Sequence, residues 1–207
     1  MAIECSRLEK RELAQAAALL ARAFENDGII SHYLGGTRRR RYAAPAFFRA
    51  VIHQHMPNGT VFAAHERGEL VGVAIWAPPE PLDPSFGARA RAWLSSAQVL
   101  AMFPRGARRL SEGLGRLAAL HPAEPHWYLV FTGVEPAHQH KGIGRTLLMP
   151  TVAHADDDGV QCYLETPFPE THAFYRQLGF ELVSTVDAFP GTRPMSVMSR
   201  APRGAAW

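Results

Sequence analysis

Cysteine is scarce: Cys5 and Cys162 are the only two in 207 residues, and neither belongs to a C-x-x-C pair. That excludes a disulfide-built scaffold and points to a reducing, cytoplasmic setting. Long apolar runs are missing as well. No stretch approaches the roughly 20 residues of a membrane helix, and the Ala/Leu-rich segment 13–24 is broken by Gln15 and Arg22. The same segment follows charged residues too closely to be the apolar core of a signal peptide. Internal repeats and low-complexity tracts are absent. Charge excess is small: the formal net charge is +3, and four of the 22 basic residues fall in one run, 38–41, with no interleaved aromatics. Such a run reads as a solvated helix face, so neither nucleic acid nor a membrane is an expected partner. What is present is 47% hydrophobic and 20% charged residues, a composition that buries a core and excludes disorder and collagen-like repeats.

Periodicity along the chain gives a mixed α/β order. Ile3, Cys5 and Arg7 alternate with polar neighbours as in a strand, and Leu13, Ala16, Ala17, Leu20, Ala23 and Phe24 then recur at helical spacing. Asn26-Asp27-Gly28 ends that helix, and a loop runs to Gly35-Gly36-Thr37, where a second helical stretch starts toward Met56 with Pro45 inside it. Segments 61–65 and 70–77 are rich in strand formers and flank Glu66-Arg67-Gly68-Glu69, which predicts a β-hairpin. Prolines at 78, 79, 81 and 84 stiffen the next segment, before a helical region over 85–120 that Pro104 and Gly106 divide. The apolar run 127–134, closed by Glu135-Pro136, predicts a buried strand. Beyond it come a helix over 143–154, a strand over 161–165, a short helix over 170–178 ended by Gly179, and a strand pair over 180–186 and 195–200. The expectation is one α/β domain spanning 1–207, with about seven strands and a helical insertion at about 78–125.

The richest chemistry lies where the strand over 127–134 gives way to the helix at 143. Gly142 and Gly144 let the backbone approach an anion, and the first-turn N–H groups of a helix carry the positive end of its dipole. Lys141 and Arg145 add charge. The pattern is neither a Walker loop nor a dinucleotide fingerprint, because the third glycine and the Gly-Lys-Ser/Thr ending are absent.

Gln139-His140-Lys141-Gly142-Ile143-Gly144 resembles the Q/R-x-x-G-x-G/A pyrophosphate loop of the GNAT acyl-CoA N-acyltransferases, and Tyr175-Arg176-Gln177-Leu178-Gly179-Phe180 resembles that superfamily's closing Y-x-x-x-G-F element. Order and spacing match. The segments 124–134, Leu164-Glu165-Thr166 and 194–200 are similar to the puromycin N-acetyltransferase branch, while the first 120 residues agree in layout. The resemblance implies a GNAT fold, an α/β domain with a mixed, mostly antiparallel six- to seven-stranded sheet whose central strands splay, flanked by helices. It also implies acetyl-CoA as the cofactor. Thr132, Gly133 and Val134 would meet the pantetheine arm, with the Thr132 N–H donating to the thioester oxygen. Gln139, His140, Lys141, Gly142, Ile143, Gly144, Arg145 and Thr146 would hold the pyrophosphate. Thr171 stands where this branch commonly has Asn. Tyr175 stands where the family places the acid for the departing thiolate, and a phenol with a pKa of about 10 is protonated at neutral pH. As an aromatic beside Phe174 and Leu178, Tyr175 also reads as core.

A base for the acceptor amine is less directly marked. The glutamate that serves histone-modifying members four residues before the oxyanion position is Tyr128 here. Glu165 is the preferred candidate, with His126 and Glu135 behind it. Asp27, His32 and Tyr33, in the loop between the first two helices, are candidate acceptor contacts, as are Phe47 and Phe48 from an apolar stripe that equally reads as core. The histidine pairs at 53/55 and 138/140 lack a third ligand at metal-binding spacing, and neither cysteine has a patterned histidine partner for an acyl-enzyme. The leading expectation is therefore acetyl-CoA-dependent N-acetylation of a small primary amine by direct attack, in a monomer or homodimer. A peptide acceptor and a catalytically silent CoA-binding module are the alternatives.

Overall fold

The computed structural model describes residues 3–34, 37–79 and 107–204, without the side chains of residues 32–34, 37, 39 and 107. Seven strands form one sheet in the order β1-β2-β3-β4-β5-β7-β6. They are β1 (Ile3–Arg7), β2 (Val61–Glu66), β3 (Glu69–Ala77), β4 (His126–Val134), β5 (Gln161–Thr166), β6 (Glu181–Val186) and β7 (Met195–Arg200). All neighbours are antiparallel except β4 and β5. A parallel pair needs a long crossover, and the helix Ile143–Asp157 supplies it. The expected hairpin closes through Arg67 and Gly68, at φ 53° and 80°, the left-handed pair that a two-residue turn matching strand twist demands.

The helices are α1 (Leu13–Ala23), α2 (Gly28–Leu34), α3 (Thr37–His55), α4 (Ala107–Ala118), α5 (Ile143–Asp157) and α6 (His172–Gln177). One sheet face packs on α1 to α4 through Leu19, Leu20, Phe48, Ile52, Val73, Ile75 and Phe189. The other packs on α5 and α6 through Trp76, Trp127, Leu147, Leu164, Leu178 and Phe180. Because β3 is covered on both faces, its residues from Leu70 to Trp76 are all buried, the near-continuous apolar pattern of a central strand. Gly113 lets α4 press onto the segment before β7, for a Cβ there would collide with the Phe189 ring.

Two expectations change. The segment after Asn26 is a helix, α2, where a loop was expected, because the Asp27 carboxylate accepts the Ile30 N–H at 2.7 Å and so caps it. The run 127–134 is not buried throughout: its far half is only partly covered, since among the described residues no strand pairs with that half on one edge. Pro45 does sit within α3; Ala44, Phe48, Val51 and Ile52, all buried, hold the helix through the lost hydrogen bond. Residues 80–106, which carry most of the expected insertion, and the Pro104–Gly106 break lie outside the described residues.

Candidate active site

Strands β4 and β5 pair only from His126↔Gln161 to Leu129↔Leu164. Beyond Leu129 one edge of β4 is open, and a bulge there, with Trp76 opposite Leu129 but Ile75 opposite Phe131, turns the strand. Glu135 N–H donates to Val71 O at 2.9 Å, so Glu135 faces β3. Strand alternation then turns the backbone groups of Val134 and Thr132 to the open edge, as the 3.2 Å bond from Gln139 Nε2 to Val134 O confirms. A cavity of about 1320 Å³ occupies this gap. Its walls come from both sheet faces: Phe47, Leu110 and Phe189 belong to one core, Ile143, Leu178 and Tyr175 to the other. The cavity therefore passes through the sheet.

On the α5 side, Gly142 caps the helix at φ +81° and His140 adopts φ +62°, a backbone that turns the chain sharply into its first turn. No side chain caps α5, which leaves the amides of Ile143, Gly144 and Arg145 as the donors of a helix N-terminus. Gln139, His140, Gly142, Ile143, Gly144 and Arg145 all line the cavity. Lys141 and Thr146 do not; Lys141 is exposed, and the Thr146 N–H already bonds Gly142 O at 3.1 Å. Gly144 backs onto Phe174, whose ring a Cβ would approach to 3.2 Å.

Tyr175 reaches the same cavity from α6 and is buried, with Phe174 and Phe180 ring centroids at 5.1 and 5.9 Å. Burial pushes its phenol pKa well above the ordinary value. Thr171 lines the cavity too, but its hydroxyl donates to Phe168 O at 2.7 Å and lies 3.2 Å from Thr166 Oγ1. That threonine therefore fastens the turn into α6. Thr132 lines the gap with a buried Oγ1 that has no hydrogen-bond partner among the described residues.

The opposite face holds a buried polar cluster. Cys162 and Leu164 pack toward α5, so alternation directs Tyr163 and Glu165 the other way, and on β4 His126 and Tyr128 do the same against Trp127 and Leu129. The Glu165 side chain is 2% exposed, with Oε1 3.3 Å from His121 Nε2 and in no well-aligned hydrogen bond. The Tyr128 hydroxyl donates to Glu165; burial first and then that carboxylate raise its pKa well above 10. His121 Nδ1 lies 2.9 Å from His126 Nε2, and His126 Nδ1 lies 2.9 Å from Glu124 O. Burial holds the His126 pKa below the usual imidazole value. The structure thus joins Glu165 and His126 and adds His121, which sequence reasoning missed; its only signal was a histidine shortly before β4. Glu135 is elsewhere, held by Arg22 at 2.7 Å. Among the described residues no trio of His, Cys, Asp or Glu can hold a metal ion.

Toward α1–α3, Asp27 and Phe47 line the cavity. Asp27 is buried, which raises its carboxyl pKa against the lowering pull of the Ile30 and Ile29 amides. The Phe24 and Phe47 rings stand edge-on to Phe131 at 5.4 and 6.1 Å. Phe48 lies behind them, fully buried, and is not part of the wall. The side chains of His32 and Tyr33 lie outside the described residues.

The model of the acetyltransferase (GNAT) family matches residues 29–180. An uncharacterized N-acetyltransferase of Schizosaccharomyces pombe is 25% identical over 95% of this chain and 82% of its own length. Among solved structures, a Corynebacterium glutamicum protein described as histone acetyltransferase HPA2 and related acetyltransferase superposes with a TM-score of 0.78 at 22% identity, covering 100% of both chains. A mosquito arylalkylamine N-acetyltransferase like 5b gives 0.59 at 17% identity over 97% of this chain and 100% of that one. These two likenesses bear on the fold alone; it is the family match, over well more than half the chain, that makes this protein an N-acetyltransferase of the GNAT family.

Proposed function

We propose that the protein transfers an acetyl group from acetyl-CoA to the primary amine of a small molecule, by direct attack within a ternary complex. The observation that carries this is one continuous cavity through the sheet, with a helix N-terminus on one side and a buried carboxylate among aromatic rings on the other. The residues fit the cofactor: three first-turn amides of α5 suit a pyrophosphate, and the backbone of Thr132 and Val134 faces the cavity between β4 and β5, where it can pair with the amides of a pantetheine arm. Bound there, acetyl-CoA supplies an activated thioester. The Thr132 N–H would donate to the oxygen on which charge develops, and Tyr175, kept protonated by burial, would give the departing sulfur its proton. Thr171 is committed to Phe168 O, so its hydroxyl contributes less to the cofactor than the asparagine of the puromycin N-acetyltransferase-like branch, to which we assign the chain.

Glu165 is the base in this reading. It reaches the acceptor face from β5 and is held there by Tyr128, which occupies the position where histone-modifying relatives carry their glutamate. On the same face Asp27, Phe24, Phe47 and Phe131 suit a flat cationic amine, as the name of the arylalkylamine N-acetyltransferase neighbour also suggests. Both cysteines are free, consistent with a cytoplasmic enzyme, and no helix among the described residues is long and apolar enough to cross a membrane. The test is a side-by-side assay of thiol release from acetyl-CoA at one pH. Aryl-alkyl and aminoacyl-type amines should outrun lysine-containing peptides; faster peptide acetylation would move the acceptor class to protein, and no release with any amine would mark a silent CoA-binding module.

A further inference from the structure

A buried chain of polar contacts leads away from Glu165 and ends on the backbone. The Glu124 carbonyl can only accept, so its 2.9 Å contact places a proton on His126 Nδ1. Burial, the largest influence, keeps His126 toward its neutral form, and His121 beside it acts in the same sense. Neutral His126 presents a lone pair at Nε2, so the 2.9 Å contact with His121 Nδ1 is a donation to it. His121 thus carries its proton on Nδ1, and its other nitrogen stands 3.3 Å from Glu165 Oε1. With both groups deprotonated, two lone pairs meet in a buried space; one proton between them completes the chain.

We propose that His121 is a further catalytic residue, sharing with Glu165 the proton taken from the acceptor amine at Nε2, and that His126 is the positioning residue that fixes its tautomer. The proposal rests on the amine-acetylation reading above and adds the atom that receives the proton. His121 and Glu165 line the cavity and His126 does not, as that division of labour requires. As the amine nitrogen bonds to the acyl carbon, its proton passes to the pair. The carbon–sulfur bond breaks, sulfur leaves with the Tyr175 proton, and exchange with solvent discharges the pair and reprotonates Tyr175. Groups that face the pair among the described residues include Tyr128 and His126 from β4, Tyr163 from β5, and the Glu124 backbone before β4. Burial, then the Glu165 charge, raises both phenols, so neither tyrosine gives up its proton at neutral pH.

Nitrogen-15 NMR of the imidazoles in the full chain reads this without an acceptor. His126 should be the neutral Nδ1–H tautomer, and His121 should take its titrating proton at Nε2. Glu165→Gln, which removes the adjacent charge, should move the His121 Nε2 resonance and leave the His126 tautomer unchanged. A neutral Nε2–H tautomer of His121, or an Nε2 resonance unmoved by Glu165→Gln, overturns the pair. Kinetics with acetyl-CoA and 2-phenylethylamine form the second arm. His121→Gln should lower kcat by about 10²-fold or more with calorimetric CoA affinity unchanged, whereas His126→Gln should shift the low-pH limb of kcat and spare more of its plateau. Wild-type kcat in His121→Gln overturns the assignment alone. No turnover in the parent enzyme with any amine overturns the acetyl-transfer reading, and the catalytic assignment with it.

Discussion

Asp27 has two duties that one substitution separates. Its carboxylate caps α2 through the Ile30 amide and, in the proposed function, draws the ammonium form of the acceptor into the cavity. Asparagine caps as well as aspartate but carries no charge. Asp27→Asn should therefore leave thermal unfolding nearly unchanged and raise the amine KM about tenfold, a cost of roughly 1.4 kcal/mol, with CoA affinity intact. Because burial raises the Asp27 pKa, its charge is lost at a higher pH than for an ordinary carboxylate. Amine KM should thus climb on acidification in the wild type and less steeply in the variant; equal slopes would show Asp27 to be a cap only. Tyr175→Phe should lower kcat by about 10²- to 10⁴-fold with little change in CoA affinity. Since burial keeps the phenol protonated far above neutrality, the variant's pH profile should keep its shape; an equal loss of CoA affinity would identify a packing residue. Sequence reasoning reached Tyr175, Glu165 and His126 because motif or strand position marks them. It missed His121 because only the tertiary course of residues 119–125 brings that ring to the end of β5, and it could not separate Phe47 from Phe48, neighbours of which one meets the cavity and the other the core.

Among the elements, the α5 N-terminus makes the sharpest demand on sequence. Gly142 sits at φ +81°, a region costly for any side chain, and aspartate there adds a negative charge where an anion is to bind. Gly142→Asp should abolish CoA binding in a calorimetric titration while the chain still folds, and wild-type affinity would remove the pyrophosphate from this loop. This element was readable because glycines and a helix start are local signals. The hairpin was readable for the same reason, its turn written in Arg67-Gly68. The splay of β4 from β5 was not: apolar residues fill 127–134 throughout, and periodicity alone cannot show that a strand loses its neighbour halfway. It came only through family resemblance. Helix α2 escaped because seven residues between breakers give too short a window for a 3.6-residue period.

At the scale of the molecule, the α5/α6 side of the sheet is tied to the last strand by Arg200. Its side chain, 2% exposed, meets both Asp156 oxygens at 2.7 Å and the Leu178 carbonyl at 2.8 Å. Hydrogen bonding to Arg200 holds the Asp156 pKa below the usual carboxylate value. A lowered folded-state pKa gives stability that is complete above the unfolded value, about 3.9, and lost as pH falls through the folded one. Urea midpoints should be insensitive to this pair above about pH 5 and fall in acid. Asp156→Ala, which strands a buried guanidinium, should cost about 3 kcal/mol at neutral pH and flatten that acid limb; an unchanged midpoint would reduce the clasp to a surface contact. The central claim is that one cavity through the sheet admits the cofactor from the α5 side and the amine from the α1–α4 side. A crystal structure with CoA and 2-phenylethylamine tests it most directly. The account predicts the diphosphate on the amides of Ile143, Gly144 and Arg145, the sulfur between β4 and β5 near Tyr175, and the amine within hydrogen-bonding reach of the His121–Glu165 pair. CoA seated outside the β4–β5 gap, or an amine entering from the same face as the cofactor, would contradict it.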